Sequence, residues 1–147
     1  MYTVEEFDKA KTRILKYILY QPRCEGEVRR KFSKDMEEDL LEDVIEYLKE
    51  AKYLDDKEYI KRIVNNFKIL KSMSIKELKY KLLTKGLNKR DIEEYISENN
   101  EDLEEYEIKS AKNIFNRKSN SKDQEEIKQY LLRKGYSFDS INKALEE

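Results

Sequence analysis

Residues 77–96, ELKYKLLTKGLNKRDIEEYI, lie without a gap over residues 126–145, EIKQYLLRKGYSFDSINKAL. Apolar residues coincide at Leu78/Ile127, Leu82/Leu131, Leu83/Leu132, Leu87/Tyr136, Ile92/Ile141 and Ile96/Leu145. A longer-turned third copy, EVRRKFSKDMEEDLLEDVIEYL, occupies 27–48 and puts Val28, Phe32, Val44 and Leu48 at the matching places. Such self-similarity is the mark of a repeat architecture, in which one supersecondary unit recurs and each copy shares its core with its neighbours. No other feature of the chain narrows its fold as much.

Each copy follows another stretch of helical periodicity. In the middle unit Tyr59, Ile60, Ile63, Val64, Phe67 and Leu70 recur at helical spacing. Phe7, Ala10, Ile14, Leu15 and Ile18 do so before the first copy, and Ile108, Ala111, Ile114 and Phe115 before the third. Thr3-x-x-Glu6, Ser74-x-x-Glu77 and Ser121-x-x-Gln124 read as capping boxes, and Asp55-x-x-Glu58 resembles one. No sustained period-two alternation points to strands. The pattern predicts helix, helix, turn, helix, three times over, in modules 1–53, 54–100 and 101–147.

Two of only three glycines, Gly86 and Gly135, fall at the same point of the repeat. A residue just past a helix end commonly takes positive φ, which glycine adopts without a Cβ clash. Each is therefore expected to stop its module's second helix and turn the chain into the third. The first copy has Met36 there and is degenerate.

The composition leaves few routes to catalysis. There is no histidine, which removes the commonest general base and metal ligand. The lone Cys24 has no sequence-near ligands, and the scattered glycines make no phosphate loop. No catalytic residue, metal or cofactor is expected. A single thiol in a Lys/Glu-rich chain suggests a reducing, cytoplasmic setting. The most hydrophobic stretch, ILKYILY at 14–20, is too short to span a bilayer, so no membrane partner is expected.

A net charge of −1 conceals strong segregation. Residues 1–36 carry +3, 37–58 carry −7, 59–92 carry +8, 93–107 carry −8 and 108–147 carry +3. Two residues after the aligned Glu27, Glu77 and Glu126 comes a cation every time: Arg29, Lys79 or Lys128. Lys31 aligns with Lys81, and Lys85 with Lys134, while Arg30, Lys76, Lys89, Arg90 and Arg133 thicken the cluster. Long cationic side chains also solubilise and cover thin cores. Their recurrence points instead to a basic face for nucleic-acid phosphate or an acidic protein surface. Sequence-specific DNA reading is disfavoured, because the helices at the recognition position, EEDLLEDVIEYL and RDIEEYISEN, are acidic and would repel phosphate.

Asp55 and Asp56 stand where a helix begins, so capping and dipole stabilisation are expected of them rather than metal or acid–base chemistry. The tyrosines offer base-stacking surfaces, but most fall on apolar stripes, where core packing is the expectation.

Together these phrases resemble the RecX family of recombination regulators. The resemblance rests on Leu54, Asp55, Asp56 and Tyr59, then Lys85 and Gly86, then Arg133, Lys134, Gly135, Tyr136, Ser137 and Ile141, and covers residues 5–147. It implies an all-α protein of three tandem three-helix, helix-turn-helix-like repeats in an elongated, curved arrangement. It further implies a monomer without chemistry of its own, a negative regulator bound in the groove of the RecA filament on single-stranded DNA. Such a protein damps ATP hydrolysis and strand exchange or promotes filament disassembly. A module binding single-stranded or structured DNA directly, and a helical protein–protein adaptor, are the alternatives.

Overall fold

The structure is a computed structural model and describes residues 1–70 and 72–146; the Leu70 side chain, Lys71 and Glu147 lie outside the described residues. Among the described residues there are nine helices and no strand. They are α1 (Val4–Tyr20), α2 (Glu25–Phe32), α3 (Glu38–Glu50), α4 (Asp56–Leu70), α5 (Ile75–Thr84), α6 (Lys89–Glu98), α7 (Asn100–Lys118), α8 (Gln124–Lys134) and α9 (Phe138–Leu145). The chain is all-α, three tandem helix triplets in series. No helix is long and apolar enough to cross a membrane, among the described residues.

Three thin cores follow one another along the chain. The first gathers Ile14, Val28, Val44, Ile45 and Leu48. In the second, Ile60, Val64, Leu78, Leu82 and Ile92 meet, and in the third Ile114, Ile127, Leu131 and Ile141. The third helices thus close back on the second helices, as the apolar coincidences predict. One coincidence fails: Leu83 is exposed and Leu132 half-buried. Adjacent helical residues point about 100° apart, so Leu82 and Leu131 take the core, while Leu83 stays outside and Leu132 packs only at the edge of the third core. The cores are stitched at their seams. Leu54 packs into the first, while Cys24 and Leu103 pack into the second.

The helix ends explain the glycines. Gly86 and Gly135 have φ of +98° and +99°. In both turns the glycine N–H donates back three residues, to Leu83 or Leu132, and the next N–H donates back five, to Leu82 or Leu131. This is the Schellman stop, closed by burying Leu87 or Tyr136 over the preceding turn. After α2 the chain turns otherwise: Asp35 and Met36 N–H both donate to the Phe32 carbonyl, and Met36 keeps negative φ.

Thr3 and Ser74 form the expected capping boxes, and the Asp55 carboxylate accepts from Glu58 N–H at 3.2 Å. Ser121 does not cap α8; Asp123 does, accepting from Glu126 N–H at 2.9 Å. Ser121 and Lys122 N–H instead close the end of α7 on the Lys118 carbonyl. The helix start therefore moves to the residue whose third neighbour is the aligned glutamate. Asn99 ends α6 and opens α7, so α7 begins close behind it and reaches both the second and third cores.

Candidate partner-binding cleft

The second helices meet end to end, and the same joint is built twice. The N-terminus of α2 abuts the C-terminus of α5, and the N-terminus of α5 abuts the C-terminus of α8. At the first joint the Cys24 thiol donates to the Lys85 carbonyl at 3.2 Å. At the second the Ser74 hydroxyl donates to the Lys134 carbonyl at 2.8 Å. Each satisfies a carbonyl left over at a helix end. A carboxylate from the next triplet's first helix then takes the opening N–H: Asp56 from Glu25 at 3.0 Å, and Glu107 from Ile75 at 2.7 Å.

Burial pushes the Asp56 carboxyl up to about 6, with Glu25 and Asp91 adding negative charge nearby. Burial likewise pushes the Cys24 thiol up to about 12, leaving it unreactive. Glu107 is buried and also accepts from the Ser137 N–H and hydroxyl, both at 3.2 Å, so one side chain holds the starts of α5 and α9. On the same helix, Tyr106 oxygen accepts from Met73 N–H, and Ser110 and Tyr136 share a 2.6 Å hydrogen bond.

All three glycines lie at these joints. A Cβ on Gly26 would stand 2.1 Å from the Gly86 carbonyl oxygen, and one on Gly135 would stand 2.9 Å from Lys76 Cβ. At these joints the backbones approach too closely for a Cβ, and Gly86 and Gly135 also turn through positive φ.

Over the second joint opens a cleft of about 340 Å3, lined by Met73, Lys76, Glu77, Tyr80, Lys81, Arg133 and Lys134. It holds four cations and one carboxylate, and that carboxylate is engaged. Glu77 lies 3.3 Å from Lys134 Nζ and accepts from Ser74 N–H at 3.0 Å. Lys76, Lys81 and Arg133 are exposed around Tyr80, itself 70% exposed. Arg133 and Lys134 stand in the last turn of α8, where the helix dipole favours positive charge. The first joint shows a smaller version: Arg30 donates to the Thr84 carbonyl at 3.3 Å, beside exposed Lys31 and half-buried Lys85.

The recurrent cations behave differently. Arg29 makes two 2.8 Å hydrogen bonds to Glu42 and a third, of 3.1 Å, to Glu25. The Arg29 contact holds the Glu42 carboxyl below its ordinary value. Lys79 lies 3.8 Å from Glu93. Both brace a second helix on the third helix of its own triplet. Lys128 is half-buried at the corresponding place on α8. Lys89 and Arg90 are exposed in the first turn of α6, where the helix dipole does not favour them.

Of the family-motif residues, Leu54, Tyr59 and Tyr136 are core, Gly86 and Gly135 are helix stops, and Asp55 and Asp56 cap α4 and α2 respectively. Met73, Glu77 and Tyr80 are lining residues that sequence reasoning missed; tyrosine on an otherwise periodic helix suggests core. The counterparts aligned with Tyr80 are Arg30 and Gln129, which are polar and mark the position as outward-facing.

Helix triplets locked end to end, with cations collected in a cleft over the lock, define a tandem-helical scaffold that presents a basic surface. Comparison with known proteins gives this class a family. A regulatory protein RecX from Clostridium acetobutylicum is 33% identical over 147 residues, covering 94% of this chain and 68% of the relative. Another, from Staphylococcus carnosus, is 30% identical over 90% of this chain, which spans about half (51%) of that relative. The crystal structure of RecX from Lactobacillus salivarius superposes with a TM-score of 0.82 at 25% identity, over 98% of this chain and 97% of that one. No family model matches the chain. The chain belongs to the RecX family of regulatory proteins.

Proposed function

We propose that this chain is a negative regulator of the RecA recombinase. It binds in the groove of the RecA–single-stranded DNA filament and inhibits ATP hydrolysis and strand exchange or promotes disassembly. The observation that carries the proposal is the cleft over the α5–α8 joint, where Lys76, Lys81 and Arg133 stand exposed around Tyr80. Family membership supplies the choice of RecA as partner. The three modules, 1–53, 54–100 and 101–147, each contribute a weak contact, and their sum gives avidity across neighbouring subunits. Arg30, Lys31, Lys85, Lys89, Arg90 and Lys128 extend the basic surface, while Arg29 and Lys79 hold it in shape. The protein acts as a monomer in the cytoplasm, by binding alone and without a cofactor.

The test is DNA-dependent ATP hydrolysis by the cognate RecA with this protein titrated in. The rate is expected to fall with added protein; an unchanged rate at equimolar protein would contradict the proposal. Tyr80 favours one second reading, direct binding of single-stranded DNA with a base stacked on the ring and phosphates on the neighbouring lysines. That reading requires RecA-independent affinity with a salt slope of about −0.7 per neutralised phosphate.

A further inference from the structure

A second concavity, of about 450 Å3, lies between the end of α1 and the start of α4. It is away from the basic cleft, and its chemistry differs. Three large apolar side chains line it in the open: Leu19 is 68% exposed, Tyr20 84% and Tyr53 48%. Exposed Lys52 and Arg62 stand on the rim. Arg23 lines it too, with its guanidinium held 4.0 Å from the Tyr17 ring centroid and 4.0 Å from the Glu27 carboxylate. Two carboxylates, Asp55 and Glu58, complete the lining, and Asp55 is occupied in capping α4.

An adjoining group of exposed apolar side chains in a concavity is the surface signature of a protein contact. At the end of α1, past Ile18, Leu19 and Tyr20 stand open with nothing packed over them. Lys52 adds to the picture. It takes φ of +68° at the end of α3, a conformation that favours glycine, and so carries a cation at a strained turn on this rim. A nucleic-acid strand fits poorly, since Asp55 and Glu58 interrupt any phosphate track and the wall is partly aliphatic. A peptide carbonyl or carboxylate beside an apolar side chain fits both halves of the surface.

We propose that this groove receives a peptide segment of the partner protein in which an apolar side chain adjoins an acidic one. The apolar group seats among Leu19, Tyr20 and Tyr53, and the acid faces Arg62 and Lys52. The proposal rests on the reading above that the partner is the RecA filament, and it gives the protein a second, DNA-free hold on it.

The test places the photoreactive residue p-benzoylphenylalanine at position 20, 53 or 80, irradiates each variant on RecA filaments assembled on single-stranded DNA, and maps the adducts. Positions 20 and 53 are expected to cross-link to one RecA segment holding an apolar residue next to Asp or Glu. In parallel, the double variant Tyr20→Ala/Tyr53→Ala, whose exposed side chains leave the cores intact, is expected to bind filaments at least about tenfold more weakly. Its affinity for naked single-stranded DNA is expected to match that of the parent protein. Adducts of positions 20 and 53 to DNA, or adducts at position 80 alone with unchanged affinity of the double variant, overturn the proposal. Failure of the unsubstituted protein to bind filaments at all overturns the functional reading itself, and this proposal with it.

Discussion

Gly26 and Gly86 meet backbone to backbone across the first joint, so closely that a Cβ on Gly26 would stand 2.1 Å from the Gly86 carbonyl oxygen. The atoms such a Cβ would meet are the main-chain O, C and Cα of Gly86, and no flexible side chain can move aside. Gly26→Ala is therefore expected to cost about 2 kcal/mol, in the range for overpacked sites. At the second joint the equivalent position is Lys76, which is exposed. Lys76→Ala is expected to stay within about 0.5 kcal/mol of the parent. Urea denaturation of the two variants checks the contrast; equal stabilities would mean that the joints are not built as described.

Glu107 carries the second joint from beneath. Its carboxylate accepts from Ile75 N–H, Ser137 N–H and the Ser137 hydroxyl while buried. Glu107→Ala leaves these donors without their acceptor, and a loss of about 3 kcal/mol is expected. Native-state hydrogen exchange should speed up at the Ile75 and Ser137 amides together, because one side chain protects both. Acceleration at only one of them would contradict the shared brace.

Asp56 gives the first joint a dependence on pH. Burial raises its carboxyl from 3.8 to about 6. A raised acid binds its proton more readily folded than unfolded, so its contribution to stability is present below about pH 4 and is lost as pH rises through about 6. Asp56→Asn keeps an oxygen for Glu25 N–H and removes the charge. It is expected to be more stable than the parent above pH 6 by about 1 kcal/mol, after allowance for solvent screening. Thermal melts across pH 4–8 should show a flatter profile for the variant; parallel profiles would contradict the assignment.

Much of this was legible in the sequence, and the reason is periodicity. Apart from Leu83/Leu132, the apolar coincidences between 77–96 and 126–145 are the contacts of a repeated core, and glycine at positive φ has few substitutes, so Gly86 and Gly135 stood out. The joints were not legible. Ser74 to Lys134 and Cys24 to Lys85 are hydrogen bonds between residues far apart in the chain, and neither residue type announces its partner. Glu107 sits inside an apolar stripe, where a charge signals something, but only the fold says which amides it serves. The recurring cation at Arg29 and Lys79 has a second explanation in the structure, since each pairs with a carboxylate on the third helix of its own triplet. A repeat conserves whatever holds its unit together, and bracing α2 on α3 or α5 on α6 recurs as readily as any contact with a partner.

The central claim is that the cations around Tyr80, rather than the recurrent braces, engage the filament. The direct measurement is RecA ATP hydrolysis on single-stranded DNA, titrated with the parent protein, with Lys76→Glu/Lys81→Glu/Arg133→Glu, and with Arg29→Ala. Arg29 is partly exposed, so its removal should cost no more than about 1 kcal/mol of stability and leave inhibition intact. The triple variant, folded by circular dichroism, is predicted to need at least tenfold more protein for half-inhibition, since reversing three cations opposes the anionic partner with several kcal/mol. Inhibition by the triple variant equal to that of the parent would contradict the claim.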